Sequence, residues 1–497
     1  MKKISLSIIF LLMAIGLFQA CTSFLDENPK DRYVIDNFYS SETDAKAAVT
    51  AIYQQLYGIY TRYIFLLNAL PADDEKNGLG MPNQYLQNLE YLRYTSENQF
   101  TREMWQRNYS GISRANTAII NIPGIPMDEV LKNRLIGEAK FLRALYYFNL
   151  VRFYGDVPII LGLESVQDAM IPRSPVADVY QQIIQDLSDA ENALPGTYGD
   201  SDIGRATKGA AKILLGKVYL TMHEYQNSVD KLAEVINNES AYDYGLNENY
   251  GDNWKAATED GKEMVFTIEF MDPPGTANSE MVLCAPKYSI DGGFSVLGLT
   301  DGNEADIPTM DLYSQFLDND ERKAATFRTD FISLNDGSVH TSSIPLFVKY
   351  WEEGESNPGH SDCNMHILRY SDALLMYAEA LNEVGSTGQA YIYLNRVRER
   401  AFNSTDQDYS GLSQEEFRTA VWQERRLELA FEGHRWFDLV RTGRFIERMK
   451  EHSALEAQLA ESNKVEIAQN IKDYMILMPV PQREIDLNLL LTQNPGY

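Results

Sequence analysis

Along the first and last thirds of the chain, apolar residues recur with the three-and-four spacing of one helix face. Leu131, Leu135, Ala139, Leu142 and Tyr146 form such a stripe, ended by Gly155 and Pro158. Ser41 with Asp44 reads as a capping box opening a helix through Ala48, Ile52 and Leu56. Ser413 with Glu416 opens another that carries Phe417, Ala420, Leu427 and Phe431. Val176 to Leu194 and Ala206 to Asn237 add further helices, and Trp105, four residues before Tyr109, reads as core.

Two helical segments repeat one pattern. Leu215, Gly216, Tyr219, Ser228, Leu232 and Val235 fall where a tetratricopeptide helix pair packs. Tyr377, Ala378, Leu381, Ala390, Leu394 and Val397 keep the same spacing 162 residues on. Small residues let two antiparallel helices approach while the larger ones fill the groove. Between the helical blocks, residues 58–103 and 245–362 are rich in Gly, Pro, Asn, Asp and aromatics, with short strand-like runs such as Met264 to Phe270. Loops this long are usually functional. The expected architecture is mostly α: a tetratricopeptide-like helical-repeat scaffold with an irregular, loop-rich ligand-binding face. One domain over 41–497 is expected, with repeats near 41–240 and 365–450, the irregular region near 245–362 and a C-terminal segment at 451–497.

The N-terminus reads as an address. Lys2 and Lys3 precede the apolar run Ile4 to Phe18, too short for a comfortable membrane span. Leu17-Phe18-Gln19-Ala20-Cys21 resembles a lipobox, so residues 1–20 are read as a lipoprotein signal peptide and 21–40 as a tether acylated at Cys21. Membrane attachment is then through the lipid alone.

Charge narrows the partners. The chain has 497 residues with 71 Asp+Glu against 44 Lys+Arg, a net charge of −27 that becomes −29 once Lys2 and Lys3 are removed. Phosphate affinity needs clustered cations, so nucleic acid is excluded as a partner. The three cysteines form no CxxC; Cys284 and Cys363 are left open as a pair. The 30 Tyr outnumber 21 Phe and 5 Trp, a bias that suits wet recognition surfaces as well as cores.

Catalytic motifs fail one by one. Gly293-Phe294-Ser295-Val296-Leu297 lacks the last Gly of a nucleophile elbow, His223-Glu224 has no second zinc-binding His, and Ala210 stands where a P-loop needs Lys. His360, Asp362, Cys363 and His366 in one loop, and Asp301, Asn303, Glu304 and Asp306 in another, read as turn chemistry in preference to metal sites. No cofactor, metal or enzymatic activity is expected. Residues 424–441 interleave Glu424, Glu428, Glu432 and Asp438 with Arg425, Arg426, Arg435 and Arg441 among Leu427, Phe431, Trp436 and Leu439. That pattern predicts charges paired within a packed helix end, with His434 structural.

At this segment the sequence resembles the SusD/RagB family of Bacteroidetes outer-membrane lipoproteins. The likeness also rests on Ala139 to Pro158, Leu368 to Asn382, Met478 to Glu484 and Gln493 to Tyr497. It implies a non-catalytic surface protein, carried to the outer membrane by its lipid. Such a protein captures oligosaccharides and hands them to a SusC-like TonB-dependent transporter, over which it sits as a lid. The RagB branch implies peptide cargo instead, and an envelope hydrolase is the less favoured alternative. Sugar rings stack C–H patches on aromatic faces and offer hydroxyls to Asp and Asn. Such side chains in the irregular regions are the candidate ligand contacts: Asp73, Asp74, Asn83, Tyr85, Tyr91 and Tyr94, then Trp254, Tyr288, Phe294 and Trp351.

Overall fold

The computed structural model describes residues 38–78, 83–162, 166–199, 202–270, 278, 280–285, 302–303, 305–332, 337–351, 361–459 and 466–497. Helix α1 (Glu42–Gly58) starts at the capping box: Ser41 Oγ accepts from Asp44 N at 3.3 Å, and the Asp44 carboxylate accepts from Ser41 N at 2.8 Å. The path continues through one π-helical turn (Ile59–Tyr63) into α2 (Ile64–Ala69), every residue of which is buried. Helices α3 (Gln84–Glu90), α4 (Gln99–Asn121), α5 (Glu129–Tyr154), α6 (Val176–Ala193), α7 (Lys208–Thr221) and α8 (Tyr225–Ile236) follow. Helix therefore reaches well into 58–103, which composition marks as irregular. Gly58 does not stop the chain: it takes ordinary right-handed helical angles, and the helix runs on into the next turn.

Helix α5 is buried on nearly every side and packs against α4 and α6, which places its aromatic run Tyr146-Tyr147-Phe148 in the middle of the core. Short helices α9 (Glu280–Cys284), α10 (Met310–Ser314) and α11 (Glu321–Thr326) precede α12 (Tyr370–Glu383), α13 (Thr387–Phe402), α14 (Gln414–Glu428), α15 (Arg435–Arg441), α16 (Phe445–Leu459), α17 (Glu466–Asn470) and α18 (Gln482–Leu487). The pairs α7/α8 and α12/α13 are the two repeat units, and α8 packs on α12. A Cβ on Gly216 would lie 2.6 Å from Leu232, and Ser228 Oγ donates to the Gly216 carbonyl at 2.9 Å, so the small residues do set the helix separation.

Strands are few and short among the described residues: β1 (Glu75–Lys76), β2 (Met264–Ile268), β3 (Ile307–Pro308), β4 (Phe327–Ile332), β5 (Val339–Phe347) and β6 (Met365–Arg369). They pair antiparallel as β1–β3, β2–β6 and β4–β5. The β2–β6 ladder bolts the irregular region to the scaffold, since β6 runs directly into α12. One apolar core runs from Ala45 to Leu491 and takes in helices of both halves. No described helix is long and apolar enough to cross a membrane.

Candidate functional site

The segment 424–441 forms the floor beneath the loop-bearing face. Arg369, 1% exposed, bridges Glu263 at 2.5 Å, Glu428 at 3.0 Å and Glu432 at 2.8 Å. Arg400 holds Glu263 and Glu428 at 2.9 and 2.5 Å, and Arg322 holds Asp320, Glu424 and Glu428 at 2.8, 2.7 and 3.2 Å. Burial alone would raise the Glu428 carboxyl, but Arg400 and Arg369 outweigh it and hold the group at about 2. The expected pairing is present, yet most partners come from outside the segment. Only Arg425–Asp438 and Arg441–Asp438, at 3.2 and 2.8 Å, close within it. His434 is a packing residue of this layer, with Nδ1 3.4 Å from the Lys217 ammonium.

Asp73 and Asp74 belong to the same layer and are not available to a ligand. Asp73 is 0% exposed and bound by Arg435 at 2.7 Å and Arg448 at 2.5 Å; Asp74 is bound by Arg426 at 2.6 Å. Their sequence neighbourhood of polar and glycine residues predicts an exposed loop. The guanidinium groups that bury them lie more than 350 positions away.

Immediately beyond, β1 and β3 bring three further oxygen-bearing side chains together, one of them Asp306 from the loop expected to show only turn chemistry. Glu75 pairs with Pro308 and Lys76 with Ile307, so Asn77 just after β1 and Asp306 just before β3 flank the same end of the ladder. All three are buried, and Glu75 Oε2, Asn77 Oδ1 and Asp306 Oδ1 accept from no amide, guanidinium or ammonium donor among the described residues. Burial pushes the Asp306 carboxyl up to about 7, and burial together with Asp306 pushes Glu75 well above the usual range. The two carboxyls bond to each other, which requires one of them to carry a proton. The period-two spacing Glu75-Lys76-Asn77 is the one sequence signal that could have singled out this group. Asp301 and Glu304 of the same motif lie outside the described residues, as does His360 of the other. His366 Nε2 instead meets the Asn253 carbonyl at 2.9 Å, and the Cys363 thiol donates to the Trp254 carbonyl at 3.1 Å. Cys284 and Cys363 are both buried thiols, not a disulfide. Among the described residues no three His, Cys, Asp or Glu side chains group to hold a metal.

The aromatic candidates divide. Trp254 is 4% exposed and Tyr94 is 3% exposed. The first packs edge-on to Tyr350 and His366, and the second stacks on Tyr497 at 6.1 Å; both belong to the fold. Asn83 is spent as the cap of α3, its Oδ1 accepting from Tyr85 N at 2.8 Å. Tyr85 projects into solvent, and half-buried Tyr91 lies under the Arg93 guanidinium at 4.9 Å. Trp351 is half-buried on the outer side of β3: it packs on Phe331 at 5.5 Å and against the clusters containing Ile307 and Ala285. Tyr288, Phe294 and Cys21 lie outside the described residues. A wide cleft elsewhere, about 430 Å³, has matching chemistry in Tyr198, Asp202, Arg205, Tyr242, Asp260 and Lys262; sequence reading missed it because those residues come from three separate stretches of chain.

Comparison with known proteins places this geometry. Residues 237–497 match the model of the SusD family, and residues 23–220 match one described as starch-binding and associating with the outer membrane. SusD-like protein P2 of Formosa agariphila is 29% identical with 100% of both chains covered. A SusD-like protein of Bacteroides ovatus is 29% identical over 86% of this chain and 81% of its own. Among solved structures, a laminarin-binding SusD-like protein superimposes with TM-score 0.77 at 28% identity, covering 92% of this chain and 100% of that one. A SusD homologue from Bacteroides thetaiotaomicron gives 0.79 at 25% identity, covering 94% and 99%. The helix pairs, the floor built by 424–441 and the sequence matches over both halves agree: the chain belongs to the SusD family.

Proposed function

We propose that this protein captures oligosaccharides at the outer surface of the outer membrane, anchored by acyl groups on Cys21. It passes them to a SusC-like TonB-dependent transporter over which it sits as a lid, and it performs no chemistry on its cargo. The observation that carries this reading is the likeness, over the whole of that chain, to a protein that binds laminarin. Trp351 and Tyr85 supply ring faces for sugar C–H patches, backed by a rigid charged floor that fixes the loops carrying them. Residues 41–497 act as one unit in this scheme.

Calorimetry of the full chain against laminarin oligosaccharides, other plant, host and microbial glycans, and mixed peptides tests the reading. Saturable binding of a glycan is the expected result. Binding of peptides with every glycan silent would transfer the same lid role to peptide cargo, and release of reducing ends or new amines would overturn the non-catalytic reading. Loss of glycan binding in Tyr242→Ala with Trp351→Ala unaffected would move the site to the 430 Å³ cleft.

A further inference from the structure

A separate cavity of about 260 Å³ opens where the end of α5 meets α6, α7, α12 and α15. Ile476, 42% exposed, stands at its mouth, and Tyr180, Leu220, Met376 and Phe437 are among the apolar walls. Arg152, Lys217 and His434 supply a cationic, hydrogen-bond-donating side.

The charges around that side do not balance. Arg425 is matched by Asp372 and Asp438 at 2.7 and 3.2 Å, Arg441 by Glu379 and Asp438 at 2.5 and 2.8 Å, and Lys217 by Asp372 at 2.8 Å. Four cations meet three carboxylates, and among the described residues no carboxylate lies within ion-pair distance of Arg152, which feels Asp438 and Asp372 only from farther off. Its Nε donates to the Phe148 carbonyl at 3.1 Å and its Nη2 to Asn149 Oδ1 at 2.9 Å, both neutral acceptors. The Phe148 and Phe437 rings clamp the guanidinium at 3.9 and 3.6 Å, so it cannot swing away to solvent. Burial lowers Arg152 to about 10, which leaves it charged at neutral pH. Burial and the Lys217 ammonium bring His434 down to about 3, so its neutral ring accepts from Lys217 at Nδ1 and keeps a donor at Nε2.

Each simple occupant satisfies only half of this cavity. An inorganic anion would answer Arg152 but leave the apolar walls wet, and a hydrocarbon would leave a desolvated cation without a counter-charge. A carboxylate carried on a short apolar body answers both. We propose that the cavity binds a small organic acid, aromatic or short-chain aliphatic, with its carboxylate on the Arg152 guanidinium and its body among Leu220, Met376 and Phe437. This site is independent of the loop-borne glycan site and does not rest on it.

Calorimetry of the full chain with 3-phenylpropionate and hexanoate, against 3-phenylpropanamide and sulfate, tests the assignment. Saturable binding of an acid, at least about tenfold tighter than the amide and than sulfate, is expected. Arg152→Gln should bring the acid down to the amide's affinity. The acid–amide comparison uses the unaltered protein and so decides the matter even if that variant fails to fold. Equal affinity for acid and amide, no binding of either acid, or undiminished acid binding by folded Arg152→Gln would each overturn it.

Discussion

The layer behind α14 and α15 and the ladder β1–β3 both bury carboxylates, and they treat them in opposite ways. In the first, Glu263, Glu428 and Glu432 each meet one or more guanidinium or ammonium groups, and Glu428 is held ionised. In the second, Glu75 and Asp306 meet each other, with the Asn77 amide oxygen also unsatisfied. Opposite charges in a dry layer fix one arrangement and leave nothing over for a ligand. Like charges leave bonding capacity unspent, held back only by a shared proton. The first region is a layer of paired charges; the second is a pair of buried acids without a cation.

Removing one cation from the floor should have the largest effect. Arg369→Ala removes one cation from each of three buried glutamates, and denaturant unfolding should register a loss of about 3–5 kcal/mol. A loss below about 1 kcal/mol would show that the layer is not what holds the fold. The second region should respond to pH. Because the folded Asp306 carboxyl sits near 7, above its unfolded value, its contribution is fully present below about pH 4 and is lost as pH rises through 7. Stability of the unaltered protein should therefore fall relative to Asp306→Asn between pH 4 and 7, by on the order of 2 kcal/mol for a pair sharing one proton. A difference that stays flat across that window would remove the shared proton. Smallest in free energy, Trp351→Ala should weaken glycan binding about tenfold, roughly 1.4 kcal/mol, while the floor keeps the midpoint of unfolding nearly unchanged. Undiminished affinity measured by calorimetry would take Trp351 out of the site.

Much of the helical frame was legible because its determinants are local. Ser41 and Asp44 lie three residues apart, and so do Ser413 and Glu416, so both caps can be read without knowing what packs nearby. Gly216 and Ser228 mark a close helix pair for the same reason, since a hairpin brings them together over 12 positions. The candidate site was legible only in part. Tyr85 and Trp351 do present surface, whereas Tyr94 is covered by the chain's last residue, Tyr497, and Trp254 by Tyr350 and His366. Loop composition says that a segment is irregular. It does not say which of its side chains face inward.

The sequence by itself determined the family, the paired helices and the net acidity, because each rests on composition or on spacing within a segment. Tertiary structure alone decided which acids and aromatics are available to a ligand. Asp74 becomes structural only because Arg426, 352 positions away, is folded against it, and Arg152 becomes a cation in want of an anion only because three other cations have already taken the nearby carboxylates. Burial and charge balance are sums over neighbours in space, and no local pattern along a chain contains them.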